Sequence, residues 1–309
     1  MENSACQVLL QYQPSSSEVE ELYTTYRICS VINAFSSYTA ILLNSLTIHA
    51  MRKSMLMPKP LMTLLLSLAV SDLGVGLLVQ PFAIELLVKW LQIDNPTCTT
   101  YTAFTIIITL FSFASFFSVT LISADRFLAI HLHLRYQELV TLNRVVTATI
   151  SIWIFSVFLS LIMLWIPATV TYVIFAIIEV ICLVTTTFFN HKIYLAVRRH
   201  NNQIQALQVE EAAENSETGA NVTRLRKTAL GTFYVYLLFM VCYLPNISSY
   251  VLITVFGSGT TIKGLSMYTL TLAFLNSSLN PLIYCWKMRH IRHAVVNILR
   301  NTLTKLSCC

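Results

Sequence analysis

Seven apolar runs, each long enough to cross a bilayer, constrain this chain more than anything else in it. They fall at residues 28–51, 61–87, 101–130, 145–167, 172–197, 228–256 and 262–286. A helix needs about 20 apolar residues to span the hydrocarbon core, and in lipid only helices and closed barrels satisfy their own backbone hydrogen bonds. The runs are continuous rather than alternating, so the expected fold is an all-α membrane protein, a seven-transmembrane helix bundle. Of the 309 residues only 11% are charged, less than half the roughly 25% of a soluble domain. That excludes an ordinary soluble enzyme, and no Gly-rich phosphate loop, H-E-x-x-H site or nucleophile-base pair can be assembled.

The basic residues set the orientation, because cytoplasmic loops hold the excess of Lys and Arg. With the N-terminus outside, only Arg27, Lys89 and Lys263 of the 20 basic residues lie on the outer side. The net charge of +6 is therefore a record of topology, helped by anionic inner-leaflet lipid, and no sign of nucleic-acid binding. Three parts are expected: an extracellular segment 1–27 without a cleavable signal, a membrane domain 28–286, and a cytoplasmic tail 287–309. Within the membrane domain the stretch 198–223, carrying Glu210, Glu211, Glu214 and Glu217, is expected as a long mobile cytoplasmic loop. The first part of the tail, residues 287–300, is basic and amphipathic and reads as a short helix lying on the inner membrane surface.

Eight cysteines are scattered rather than paired at metal-ligand spacings. Cys182, Cys242 and Cys285 lie inside apolar runs and read as small buried hydrophobes. Any disulfide has to come from Cys6, Cys29 and Cys98 on the oxidising side, and Cys6 with Cys98 is the working pairing. Cys308 and Cys309 follow the surface helix and are candidate palmitoylation sites, with free thiols as the alternative.

An ionisable side chain at the bilayer centre costs about 2.5–3.5 kcal/mol, so each needs a reason. Asp72 interrupts the second run, Ser115 lies midway in the third, and Asn276 and Asn280 stand four apart on one face of the seventh. Together they make either a sodium or proton site or a hydrogen-bonded cluster joining helices. Thr105, Thr109, Ser112, Ser115 and Ser118 recur at helical spacing along one inward side of the third run, and of these Thr109 and Ser112 are the ligand candidates. Glu179 in the fifth run has no Lys or Arg at its depth, so it is protonated or meets a cationic ligand group. Glu85, at the outer end of the second run, is a weaker candidate that reads more readily as a solvated rim residue.

The motifs on successive runs resemble those of a class A, rhodopsin-like G-protein-coupled receptor. Asn44, Leu68-Ala69-Val70-Ser71-Asp72 and Asp125-Arg126-Phe127 match the family's Asn, L-A-x-x-D and D-R-Y patterns. Leu134 and Tyr136 stand where the second cytoplasmic loop has P-L-x-Y, and Trp153 where the fourth helix has its Trp. Phe239 to Pro245 is similar to F-x-x-C-W-x-P, and Asn276 to Tyr284 matches N-S-x-x-N-P-x-x-Y. The resemblance implies a receptor in the plasma membrane that signals to a heterotrimeric G protein. It also implies an allosteric sodium pocket at Asp72, Ser115, Asn276 and Asn280. Asp125 and Arg126 are then the resting lock, Pro245 and Pro281 the kinks, and Tyr284 a moving polar contact.

The departures shape the expectations as much. Tyr243 replaces the family's Trp and Phe127 its Tyr, while Cys182 and Asn190 occupy the fifth-helix Pro and Tyr positions. Near the start of the sixth helix stand Arg224, Leu225, Arg226 and Lys227 but no acid, so the ion pair to Arg126 is missing and raised basal activity is expected. Ile108 lies where amine receptors carry an Asp, which argues against an aminergic ligand. Tyr101 replaces the bridging Cys, and the second extracellular loop is almost absent. These traits look similar to melanocortin receptors and, more loosely, to adenosine, cannabinoid and lysolipid receptors. The implied pocket holds Glu85, Thr109, Ser112, Glu179, Tyr243, Asn246, Tyr250, Leu270 and Phe274, compatible with a small peptide, a nucleoside or a lipid. The competing reading is a small transporter or ion pathway using Asp72 and Glu179, which predicts repeated halves that the sequence lacks.

Overall fold

The computed structural model describes residues 13–53, 57–94, 96–132, 135–207, 216–257 and 259–306. Among them every regular element is helical: α1 (Ser16–Lys53), α2 (Lys59–Leu91), α3 (Cys98–His131), α4 (Leu142–Ile162), α5 (Ala168–Leu207), α6 (Ser216–Phe256), α7 (Thr260–Lys287) and α8 (Arg289–Leu306). A single further turn, Tyr136–Leu139, joins α3 to α4.

Local sequence explains the boundaries. Ser15-Ser16-Ser17-Glu18 opens α1 as a capping box: the Ser15 amide donates to Glu18 Oε2 at 2.7 Å. The helix therefore starts well before the apolar run at residue 28, inside the segment expected to be merely extracellular. Thr97 and Thr141 cap α3 and α4 by accepting from the Thr100 and Arg144 amides. Ile93, at φ 57°, ends α2. A π-helical turn at Val75–Val79 inserts into α2 just before Pro81, the residue that cannot supply its own backbone donor. Pro245 and Pro281 lie inside α6 and α7. The expected loop 198–223 is largely helix, because α5 continues to Leu207 and α6 begins at Ser216.

The bundle is inside-out relative to a water-soluble protein. Large apolar side chains of α4 and α5, such as Ile154, Phe158 and Val184, are exposed, while Asn44, Asp72, Gln80, Ser115, Asn276 and Asn280 are fully buried. Lipid as the outer solvent accounts for both observations. Six helices are long and apolar enough to cross a membrane by themselves. The sequence expectation of seven spans meets a difference at α7, whose buried Ser266, Thr269, Thr271, Asn276, Ser277, Ser278 and Asn280 lower its hydropathy. It nevertheless packs between α1 and α6 as the seventh stave.

One apolar core runs through the inner half, built from Leu64, Leu65, Leu68, Phe116, Val119, Ile122, Val235, Phe239 and Tyr284. Ile291 and Val295 of α8 belong to the same cluster, so the amphipathic tail helix is docked by its buried face. A smaller cluster joins Val75 and Val79 of α2, Tyr101 and Phe104 of α3 and Phe274 of α7 in the outer half. The α1–α2 approach is close at Gly76, where a Cβ would lie 3.2 Å from the Ser37 carbonyl oxygen. Ser37 Oγ donates to the Gly76 carbonyl at 2.8 Å there.

Candidate functional site

Three polar groupings lie along the axis of the bundle. At mid-depth, Asn280 Nδ2 donates to Asp72 Oδ2 at 2.8 Å, and Asn44 Nδ2 donates to the Ser277 carbonyl at 2.8 Å. These bonds tie α1 and α2 to α7. Ser115 is buried with them, but its hydroxyl donates to Ser71 at 3.0 Å rather than to Asp72. Asp72 Oδ1, Asn276 Oδ1 and Nδ2, Asn280 Oδ1 and Asn44 Oδ1 are buried without a hydrogen-bond partner. Orphaned buried oxygens are costly unless something supplies positive charge or a proton, and a set of one carboxylate and several amide oxygens suits a hard cation. Of the four expected sodium residues, Asp72 and Asn280 are in direct contact, Ser115 bonds Ser71 instead, and Asn276 is buried with its amide unpaired; the unused oxygens are of the kind that would suit that ion.

The second grouping closes the end of α3. Arg126 Nε donates to Asp125 Oδ2 at 2.8 Å, and a guanidinium nitrogen makes a further short contact to the same oxygen. Tyr136 donates to Asp125 Oδ1 at 2.7 Å and accepts from Arg126 at 3.4 Å. The loop turn carrying Tyr136 therefore completes the pair, and burial together with the Asp125 charge pushes the Tyr136 phenol up from its ordinary value. No described side chain of α6 pairs with Arg126. Leu134 lies outside the described residues.

Helix 6 is held by other contacts that the sequence did not suggest. Lys287 Nζ sits 4.0 Å from the Tyr234 ring centroid on α6 and 3.4 Å from that of Trp286. Tyr236 of α6 donates to Thr187 of α5 at 2.9 Å, and Asn190, in place of the family's Tyr, donates to Ser123 of α3 at 2.8 Å. Tyr284 is fully buried with its hydroxyl unpaired. Trp153 Nε1 donates to Ser67, which in turn bonds Ser118, so α2, α3 and α4 share one polar joint.

The third grouping is the set of residues expected to take the ligand. Tyr243 stacks on Phe239 with centroids 4.3 Å apart and meets Phe116 edge-on at 4.8 Å. Thr109 and Phe274 are buried, Ser112, Asn246 and Leu270 are partly buried, and Tyr250 is exposed. Glu179 lies on the inward stripe of α5, in step with buried Phe175, Cys182, Thr186 and Asn190. Glu85 is exposed and paired to Lys89 at 2.9 Å, which puts it on the rim and apart from the buried residues.

At the top of the bundle Lys263 bonds both carboxylate oxygens of Glu18 at 3.0 Å and the Gln13 carbonyl at 3.1 Å. The lone Lys on an apolar run was the one available signal for this tie between α1 and α7. The Ser15 backbone amide, followed by Lys263, holds the Glu18 carboxyl down at about 2. Cys98 is disulfide-bonded, and the described Cys29, Cys182, Cys242 and Cys285 are all free. Cys6, Cys308 and Cys309 lie outside the described residues.

A profile of the "7 transmembrane receptor (rhodopsin family)" matches residues 43–169 and 163–284. The human (Homo sapiens) histamine H2 receptor is 29% identical over 252 residues, covering 74% of this chain and 67% of its own length. The sheep (Ovis aries) adenosine receptor A3 is 25% identical over 260 residues, 76% of this chain and 78% of its own. The chicken (Gallus gallus) adenosine receptor A2b is 38% identical over a shorter stretch of 97 residues, 31% of this chain and 27% of its own. With seven bundled helices, a buried Asp-Arg pair closing α3 and the family's profile spread over most of its length, this chain belongs to the rhodopsin family of seven-transmembrane G-protein-coupled receptors.

Proposed function

We propose that this receptor sits in the plasma membrane with its N-terminus outside, takes its ligand at the residues grouped with Tyr243, and activates a heterotrimeric G protein by an outward swing of α6. The observation that carries the reading is the buried Asp125-Arg126-Tyr136 cluster at the cytoplasmic end of α3. A buried arginine satisfied only by its own neighbour and a loop tyrosine is poised to exchange those bonds for a partner protein. Pro245 interrupts the α6 ladder and gives the helix a place to bend. Ligand and G protein each bind the open bundle better, and signalling is the resulting shift in population.

Asp72, Asn276 and Asn280, with Ser115 behind Ser71, would hold a sodium ion that favours the closed bundle. Cys6 is the proposed disulfide partner of Cys98, and Cys308 and Cys309 are the proposed lipid anchors of the tail. Relatives named for histamine and adenosine support a small polar ligand over a lipid. The melanocortin-like traits of the short outer loop leave a small peptide as the other reading.

The test is agonist-free coupling in cells, measured across the main G-protein classes at matched surface expression. Wild type should signal above empty cells, and Arg126→Ala should abolish that signal without loss of surface protein. Coupling that survives Arg126→Ala would overturn the assignment.

A further inference from the structure

Many polar side chains of the bundle are paired across helices, as in Asp72 with Asn280, Ser67 with Ser118, Asn190 with Ser123 and Thr269 with Ser249. Thr109, Ser112, Glu179 and Asn246 are not: they make no side-chain hydrogen bond or ion pair among the described residues. Glu179 is the most demanding of them. It is partly buried, and its position in the buried stripe Phe175, Cys182, Thr186 and Asn190 turns it inward.

Among the described residues no basic side chain is paired with it. Of the three outer basic residues, Lys263 is bound to Glu18, Lys89 to Glu85, and Arg27 lies 5.6 Å over the Tyr23 ring. The remaining basic residues belong to the opposite end of the bundle. A carboxylate withdrawn from water is expensive to leave unpaired. Packed against α5 are α3 and α6, whose Phe116, Phe239 and Tyr243 gather their rings with centroids 4.3–4.8 Å apart, a surface that attracts cations through ring quadrupoles. We propose that the ligand of this receptor carries an organic cation, an ammonium or guanidinium group, which is paired by Glu179 from α5 while an aromatic or apolar portion packs on the Tyr243 ring. The ligand charge is thus read from the fifth helix; α3 carries no acid before Asp125 at its far end. This assignment rests on the ligand-site reading above and narrows it.

The test uses the full chain in lipid nanodiscs, with 2-phenylethylammonium and benzylguanidinium as probes and 2-phenylethanol as the uncharged isostere. Thermal stability of the receptor is followed as each is titrated. Both cations should raise the melting temperature saturably and the alcohol should not. Glu179→Gln should raise the half-saturating concentration by about tenfold or more, the size expected for loss of a buried charge pair. Glu179→Asp should retain most of the effect, and Glu21→Gln, an exposed outer carboxylate, should behave as wild type. Stabilisation that is absent, equal for the alcohol, or undiminished in Glu179→Gln would overturn the proposal. Agonist-free nucleotide exchange is measured on the same nanodiscs with and without Arg126→Ala. If exchange depends on Arg126 while the cations fail, the cationic ligand alone is wrong; if exchange is absent or indifferent to Arg126, the coupling reading itself falls.

Discussion

Glu18 and Asp72 are both carboxylates in contact with α7, and their surroundings give them opposite tasks. Glu18 accepts from the Ser15 amide and from Lys263, so its ionised form is preferred and its pKa falls from 4.5 to about 2. A depressed folded-state pKa adds stability that is complete above the unfolded value and lost as the pH drops towards the folded one. The melting-temperature gap between wild type and Glu18→Gln should therefore stay constant above pH 4.5 and narrow steadily between pH 4.5 and 2; a gap independent of pH would mean the pair contributes nothing. Asp72 accepts from Asn280 through one oxygen and leaves the other unused. For that residue the expected outcome is sodium-dependent basal coupling: added sodium lowers the wild-type signal, and Asp72→Asn removes the dependence. Equal sodium response in the two proteins would leave Asp72 as a packing residue.

Two helices decide the resting state. Arg224, Leu225, Arg226 and Lys227 of α6 include no acid, and no described α6 side chain pairs with Arg126; the cation–aromatic contact around Lys287 is expected to help hold α6 against α7 instead. Lys287 spans Tyr234 and Trp286, and Gly231 leaves room for the approach, with a Cβ there only 3.4 Å from Lys287 Cβ. A cation–aromatic contact at a half-exposed site contributes about 1 kcal/mol, or roughly a fivefold change in the closed-to-open ratio. Lys287→Leu should raise agonist-free coupling by about that factor and Lys287→Arg should not; unchanged coupling in Lys287→Leu would remove the contact from the switch. The π-turn in α2 belongs to this scale too. It follows from the Gln80-Pro81 step, yet nothing in hydrophobic periodicity announces it.

At the scale of the whole molecule, the apolar runs and the distribution of Lys and Arg were enough to read the bundle, because lipid leaves a chain few other ways to satisfy its backbone. Motif residues such as Asp72, Arg126 and Asn280 were legible for a similar reason: polar groups in apolar runs stand out. What the sequence concealed were contacts between distant helices. Tyr136 was legible as a loop motif, but its hydrogen bond to Asp125 depends on how the turn after α3 folds back. The Glu18 to Lys263 tie and the Lys287 sandwich depend on helix rotation and on helix ends, where periodicity is uninformative. The extents of α1, α5 and α6 were underestimated because helices leave the membrane without an apolar signal to follow. Which of the proposed ligand residues lack partners was visible only once the helices were placed.

In the proposed mechanism, G-protein engagement selects a bundle in which α6 has moved away from α3, at a cost lowered because no described α6 side chain pairs with Arg126. It is tested most directly by the distance between genetically encoded probes at Asn143, at the start of α4, and Ala229, in α6. In nucleotide-free complexes with G protein, the account predicts a second, longer distance population that is already present as a minority without G protein and disappears in Arg126→Ala. A single unchanged distance with and without G protein would contradict it.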